Sequence, residues 1–201
     1  WHYRSKHESL IAFSNHRFYD NRLIVFPARY ERHADYGVRF RYVRDGVYEN
    51  RQNRREAEVV VAAALEHMAT RQHESLGIVA VNLTQRDLIE ELLARQLKGR
   101  PDAAEFLQHW EHEGWPLFVK NLENVQGDER DVIYVSTTYG RPKGSSKVRQ
   151  NFGPIAGVNG GRRLNVLFTR ARCRIELFTS MMEDDVVLEE HTPEGTKAFR
   201  A

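Results

Sequence analysis

The sequence predicts an α/β fold in which helices cover both sides of a mainly parallel β-sheet. Short apolar runs typical of strands alternate along the chain with longer segments of helical periodicity, and this alternation favours parallel strands joined by helices. Residues 77–81 are apolar without interruption, as expected of a strand that is covered on both faces. Hydrophobic residues make up 41% of the chain, which is enough to form a core.

The order of the elements follows from periodicity, capping residues and turn residues. Ser5, Asn53 and Thr84 are predicted N-caps. The predicted helices cover residues 5–19, 53–72, 85–97, 102–113 and an arginine-rich stretch within 159–174. The predicted strands cover residues 22–27, 37–43, 77–81, 116–122, 130–138 and 174–180. In the second strand Val38, Phe40 and Tyr42 alternate with two arginines, which predicts a half-buried strand with the apolar residues inward.

Composition narrows the class of protein. The net charge is only +2, so bulk charge does not identify a nucleic-acid-binding protein and any such case rests on local patches. The single cysteine excludes an intrachain disulfide and favours a reducing compartment, so we expect a cytoplasmic protein. The chain opens on Trp1 in an already patterned segment, and we expect it to be a piece of a longer protein.

The arginine-rich stretch "NGGRRLNVLFTRARCR" (159–174) combines a buried face with fixed positive charge. Leu164, Leu167 and Ala171 fall at helical spacing and form the predicted buried stripe, while Arg163 and Arg170 share another face. A solvated basic face would explain this pattern. However, arginine rather than lysine is used throughout, and its rigid fork is suited to phosphate. We expect the remaining arginines to make surface or partner contacts: Arg162, Arg172 and Arg174.

Two further segments could bind ligands. In "VQGDERD" (125–131), Gly127 permits a tight turn from which Gln126 and Glu129 present hydrogen-bonding groups. Ligands of open α/β sheets bind beyond the carboxyl ends of the strands, and we expect this segment to lie there. A plain strand connection with a solvated charge cluster is the alternative interpretation.

The second segment is the polar loop "GRPKGSSKVRQNFG" (140–153). It carries Lys143, Lys147 and Arg149 with Phe152 close by, a combination suited to the charged backbone and one base of a single strand. A mobile solvated hairpin would have the same composition.

Three stretches together resemble a known family. "YRSKHESLIAFSNHRFY", "NLENVQGDERDVIYVSTTYG" and "RRLNVLFTRAR" resemble motifs IV, V and VI of superfamily 1 helicases and occur in the family's order. The forms "QGxERDVIxVS" and "RRLNVxxTRA" are most similar to the branch related to the nonsense-mediated-decay RNA helicase and its DNA-helicase relatives. The resemblance covers about residues 1–182.

The resemblance implies a second RecA-like domain over residues 1–182, followed by a linker or tail over 183–201. This is a P-loop NTPase fold without its own P-loop, since no G-x-x-x-x-G-K-[ST] occurs. ATP would then occupy a cleft shared with an N-terminal RecA-like domain of the same protein. The implied arginine fingers are Arg4 and Arg170, and the implied nucleotide-binding residues are Gln126, Gly127, Glu129 and Arg163. The expected nucleic-acid contacts are Asn121, Asn124, Thr138, Lys143, Lys147 and Arg149.

The resemblance also implies partners and an activity. The Mg²⁺ ligands would belong to the N-terminal domain, so the full-length protein would hydrolyse ATP while this piece alone would not. The nucleic acid is expected to be single-stranded, with DNA preferred over RNA, and some relatives carry a nuclease-like domain after this region. Two alternatives stay open: an inert nucleic-acid-binding or interaction module of the same fold, and an unrelated α/β domain whose arginines bind an acidic partner.

Overall fold

A computed structural model describes residues 5–24, 27 and 35–200. Within them, five parallel strands form one sheet in the order β1-β5-β4-β2-β3. The strands are β1 (Gly37–Tyr42), β2 (Leu76–Ala80), β3 (Phe118–Asn121), β4 (Arg130–Ser136) and β5 (Ala171–Thr179). The predicted α/β class with a parallel sheet is confirmed.

Helices cover both faces of the sheet. They are α1 (Ser9–Phe18), α2 (Arg54–Thr70), α3 (Leu83–Gln96), α4 (Pro101–His112), α5 (Gly160–Phe168) and α6 (Glu194–Arg200). Helices α1, α5 and α6 pack on one face, where Leu10, Leu164 and Ala198 share a core with Ile133 and Ile175 of the sheet. Helices α2, α3 and α4 cover the other face. None of the described helices is both long and apolar enough to span a membrane.

The capping residues were partly predicted. Asn53 caps α2 as expected, because its side chain accepts a hydrogen bond from the Glu56 amide at 3.1 Å. For α3 the prediction of Thr84 is wrong, since Asn82 accepts from the Gln85 amide at 2.9 Å and the helix starts two residues earlier, at Leu83. Helix α1 begins at Ser9 and not near Ser5. The strand expected over 22–27 falls in part on residues outside the description, and residues 22–24 form no strand.

The apolar residues of strand β1 are less buried than expected, although Val38 and Phe40 lie on the same side of the sheet as α1 and α5. Val38, Phe40 and Tyr42 are 40%, 55% and 41% exposed. The reason is that β1 lies at the edge of the sheet, while its arginines are drawn to a buried acid on β5. Arg41 Nε lies 2.9 Å from a carboxylate oxygen of Glu176, whose side chain is only 3% exposed.

The arginine-rich stretch divides between a helix and a strand. Leu164, Leu167 and Ala171 are buried as predicted. Helix α5 ends at Phe168, so Arg170 lies after the helix rather than on a face shared with Arg163.

Arg174 is buried, which makes the expected surface or partner contact wrong. It lies on β5 with a side chain 1% exposed, and it donates to Glu176 at 2.9 Å and to Glu74 at 3.2 Å. One of these carboxylates is two residues away in the chain and the other is a hundred residues away, and together they neutralise the guanidinium inside the domain.

The long loop after β4 and the C-terminal segment pack together. Phe152 is fully buried against the rings of Tyr139 and Phe199 at 5.3 and 5.5 Å, so the expected exposed stacking ring is wrong. Val186 is buried in the core that α5 and α6 share. Over its described part, the predicted linker or tail therefore packs on the domain.

Candidate nucleotide and nucleic-acid sites

Two of the expected nucleotide-binding residues meet at the amino ends of β4 and β5. The Arg130 amide donates to the carbonyl oxygen of Arg170 at 3.2 Å, which places Glu129 and Arg170 side by side immediately before these strands. Both side chains are half-buried. The sheet hydrogen bonding itself thus brings together residues that are 41 positions apart in the chain.

The guanidinium of Arg170 is held by the end of the preceding helix. Its Nε donates to the carbonyl of Val166 at 2.9 Å, and an Nη donates to the hydroxyl of Thr169 at 3.2 Å. The segment expected to provide the second arginine finger runs alongside, because the Lys6 amide donates to the Arg172 carbonyl at 2.7 Å. Arg4 itself lies outside the described residues.

Glu129 and Arg170 lie at the amino ends of the strands, whereas the sequence predicted the carboxyl ends for the segment that contains Glu129. Residues 122–129 leave the carboxyl end of β3 and return to the amino end of β4, so Glu129 lies at the edge opposite to the one predicted. The reason is topological: β3 and β4 are parallel, and a connection between parallel strands has to cross the full length of the sheet.

The crossing segment exposes Gln126 and Gly127 to solvent. Gly127 has φ +90°, a conformation that L side chains rarely adopt, and nothing lies within 4 Å of where a Cβ would stand. The conformation of the backbone, and not lack of space, therefore requires glycine here. Next to it, Lys120 Nζ and Asp128 form an ion pair at 2.7 Å that ties the segment to β3.

Arg163 is not brought together with Glu129 and Arg170. It occupies the first turn of α5, and its guanidinium bonds Glu123 at 2.9 Å and the Pro154 carbonyl at 3.1 Å. Because the helix rises about 7.5 Å from Arg163 to its last residue and Arg170 lies beyond the helix end, Arg163 is separated from the amino-end cluster.

The amino ends also carry residues that the sequence did not single out. Arg130 is 7% exposed, and its guanidinium lies 4.8 Å from the ring centre of Phe118 and 5.7 Å from that of Trp115. Burial lowers the pKa of Arg130, which nevertheless remains charged. Arg172 lies over the same Trp115 ring at 5.4 Å. In the sequence, Trp115 is only an isolated aromatic residue before a strand. Its partners Arg130 and Arg172 come from two other strands, so no local pattern indicates the contact.

The expected nucleic-acid contacts gather at the carboxyl ends of the strands. Asn121 ends β3 and is 5% exposed, while Asn124 is exposed in the crossing segment. Thr138 follows β4 with φ 72° and is completely buried. Its hydroxyl donates to the Ser136 carbonyl at 3.4 Å, so this side chain faces the protein and not solvent.

A buried acid, missed from the sequence, holds Thr138 in place. Glu56 Oε1 accepts from the Ser136 hydroxyl and from the Thr138 amide, each at 2.6 Å, and Oε2 accepts from Ser180 at 3.3 Å. Complete burial raises the pKa of Glu56 to about 7, and these hydrogen bonds only partly oppose that rise. A glutamate in the first turn of a helix gives no sequence signal, because exposed glutamates are common there.

The polar loop over residues 140–153, here called the basic loop, is exposed but is bonded to the C-terminal segment. Lys143, Lys147 and Arg149 are all exposed. Arg141 pairs with Asp185 at 2.9 Å, and the Gln150 side chain accepts from the Val187 amide at 2.9 Å. These contacts hold the loop against the C-terminal segment at the carboxyl edge, while its basic side chains stay open to solvent.

The described residues contain no group of three His, Cys, Asp or Glu side chains that could hold a metal ion. The donors present at the amino ends of β4 and β5 are mainly arginines, which suit an anion and not a cation.

Comparison with known proteins identifies the family of the chain. The AAA domain family profile matches residues 1–181. An uncharacterized ATP-dependent helicase of Mycoplasma genitalium is 42% identical over 191 residues, and its Mycoplasma pneumoniae homologue is 40% identical over 189. Each match covers 92% of this chain but only 16% of the relative. A crystal structure of the C-terminal domain of a possible DNA helicase from Lactobacillus plantarum is 11% identical, with a TM-score of 0.44, covering 88% of this chain and 86% of that one.

Proposed function

Because this chain belongs to the AAA domain family and is a second RecA-like domain of the superfamily 1 helicase type, we propose that it is the C-terminal motor domain of an ATP-dependent DNA helicase or translocase. The observation that carries the proposal is the bond between the Arg130 amide and the Arg170 carbonyl, because it sets an acid and an arginine together at one edge. A basic surface occupies the opposite edge. The domain thus has one edge for a nucleotide and another for a nucleic acid.

At the nucleotide edge, Arg170 acts as an arginine finger toward ATP held by an N-terminal RecA-like domain. Its fixed charge stabilises the charge that develops on the transferred phosphoryl group. Glu129 accepts hydrogen bonds from the ribose hydroxyls, and Gly127 with Gln126 shapes the backbone beside it. Arg4 is the second proposed finger. Mg²⁺ ligands are assigned to the N-terminal domain, since the donors at this edge suit an anion.

At the opposite edge, Lys143, Lys147 and Arg149 bind the backbone of single-stranded DNA through their charge. Asn121 and Asn124 lie at the same edge. Thr138 contributes by its position in the backbone, because its buried side chain cannot reach a ligand. Arg163 supports the crossing segment through Glu123, and a direct contact with the nucleotide would require it to leave that ion pair.

The test is ATP turnover by the full-length protein with and without single-stranded DNA. Arg170→Ala is expected to lower DNA-stimulated turnover on the order of 10³-fold or more. Arg162→Ala removes an exposed arginine from the same segment and serves as the matched control, with turnover near that of the wild type. Equal turnover in the two variants would refute the finger assignment, and stimulation by RNA alone would refute the choice of DNA.

A further inference from the structure

A two-residue turn after β1 holds an arginine in a strained conformation. Glu49 and Gln52 exchange both backbone hydrogen bonds, at 3.0 and 2.9 Å, and close the turn over Asn50 and Arg51. These two residues have φ 50° and 64°. Such turns favour glycine at the second central position, because an L side chain is disfavoured there. Strained positions of this kind cluster at functional sites, so the arginine needs an explanation.

The turn is fixed to the carboxyl edge of the sheet. The carbonyl of Arg51 accepts from the side chain of Asn82, just beyond β2, at 3.0 Å. The Tyr48 amide donates to the carbonyl of Arg141 in the basic loop at 3.1 Å. The Tyr48 ring packs at 5.3 Å from the buried ring of Tyr139. Contacts from β2, β4 and the basic loop therefore define where the turn lies.

Tyr48 links the turn that carries Arg51 to the loop that carries Arg149, because its amide bonds the Arg141 carbonyl of that loop. Burial raises the pKa of Tyr48, whereas the charges of Arg51 and Arg149 lie near enough to oppose that rise. The hydroxyl is thus neutral and can donate a hydrogen bond. Arg51 and Arg149 are exposed, and neither forms an ion pair with any residue in the described ranges.

We propose that Tyr48, Arg51 and Arg149 form a phosphate-binding site that extends the single-stranded DNA surface from the basic loop to the turn after β1. The two guanidiniums neutralise backbone phosphates and the hydroxyl of Tyr48 donates to a phosphate oxygen. The charge that Arg51 places at this edge gives the strained arginine a role. The inference rests on the proposed nucleic-acid function and names residues beyond the basic loop.

The test is binding of the 201-residue chain to a fluorescent oligothymidylate across a series of salt concentrations. Arg51→Gly relieves the strained backbone and removes the charge, so we expect a higher unfolding temperature together with roughly three- to tenfold weaker binding. The slope of log affinity against log salt should fall by about 0.7, the value for one phosphate contact on a single strand. Arg149→Ala should lower the slope equally, and Tyr48→Phe should weaken binding without changing the slope.

Asn50→Gly is the matched control, because it relieves the neighbouring strained residue and leaves the charge in place. We expect it to raise the unfolding temperature and to bind like the wild type. Wild-type affinity and slope in Arg51→Gly would overturn this site while leaving the basic loop as the interface. Failure of the wild-type chain to bind any oligonucleotide at low salt would overturn both this site and the proposed nucleic-acid function.

Discussion

Replacing Glu56 by Gln should stabilise the domain at alkaline pH and have a much smaller effect near pH 5. The Glu56 carboxylate is completely buried and accepts hydrogen bonds only from uncharged groups, the hydroxyls of Ser136 and Ser180 and the amides of Thr138 and Ser180. Burial disfavours the ionised form and raises the pKa to about 7, against 4.5 for an ordinary glutamate. The native state consequently holds a proton that the unfolded chain releases.

The size and sign of the effect follow from this difference in pKa. The stabilisation due to the retained proton is complete below pH 4.5 and is lost as the pH rises through about 7. A gap between 4.5 and 7 corresponds to roughly 3 kcal/mol in the free energy of unfolding at pH 8. Glutamine imitates the protonated acid, because its amide oxygen accepts from Ser136 and Thr138 while its NH₂ donates to Ser180. The variant should therefore escape this loss.

The assay is urea unfolding of the wild type and of Glu56→Gln at pH 5, 6, 7 and 8, followed by tryptophan fluorescence. The difference in unfolding free energy should grow with pH, from about 1 kcal/mol at pH 5 to roughly 3 kcal/mol at pH 8 in favour of the variant. Glu66→Gln, an exposed site on the same helix, should show no such trend. Parallel stability curves for wild type and Glu56→Gln would show that the buried acid is ionised throughout, and the reasoning would be wrong.

Three further substitutions test the packing of the domain by chemical denaturation. Arg174→Leu removes the one buried cation shared by Glu74 and Glu176, which keep only half-exposed arginine partners, and should destabilise by about 3 kcal/mol, with partial recovery at acidic pH. Gly160→Ala would place a Cβ 1.6 Å from the carbonyl oxygen of Ile155 and should prevent α5 from starting, whereas Gly157→Ala meets only ordinary contacts at 3.7 Å. Phe152→Ala should cost about 3–5 kcal/mol of stability, and a variant as stable as the wild type would mean that the ring is not in the core.

Local pattern was enough to predict most of the fold. The uninterrupted apolar run at 77–81 corresponds to the interior strand β2, because burial on both faces leaves no polar position. Asn53 was recognised as a cap, since capping depends on residues three positions apart. The sequence does not distinguish Thr84 from Asn82 as the cap of α3, because both are capping residues in one short stretch and only the backbone geometry decides between them.

The candidate site was predicted less completely, because it depends on long-range pairing. The arginine surplus at 170–174 could be seen in the sequence, but Arg174 finds its acid Glu74 a hundred residues away. Likewise, the edge at which Glu129 lies follows from strand order, which no local pattern encodes. Glu56 and Arg51 gave no sequence signal, since burial distinguishes the first and a left-handed backbone the second.

Strands β4 and β5 connect the two edges of the domain as one stiff unit. Residues Arg130 to Ser136 span about 20 Å at the usual rise of a strand. If the amino ends of the strands stay fixed at the nucleotide when the cleft closes, a rotation of the domain by about 10° would move the opposite edge by about 3.5 Å. That distance is close to the spacing of roughly 3.4 Å between stacked nucleotides. Under the proposed function, the length of the sheet would convert a small closure at the nucleotide into a displacement of about one nucleotide at the nucleic-acid edge.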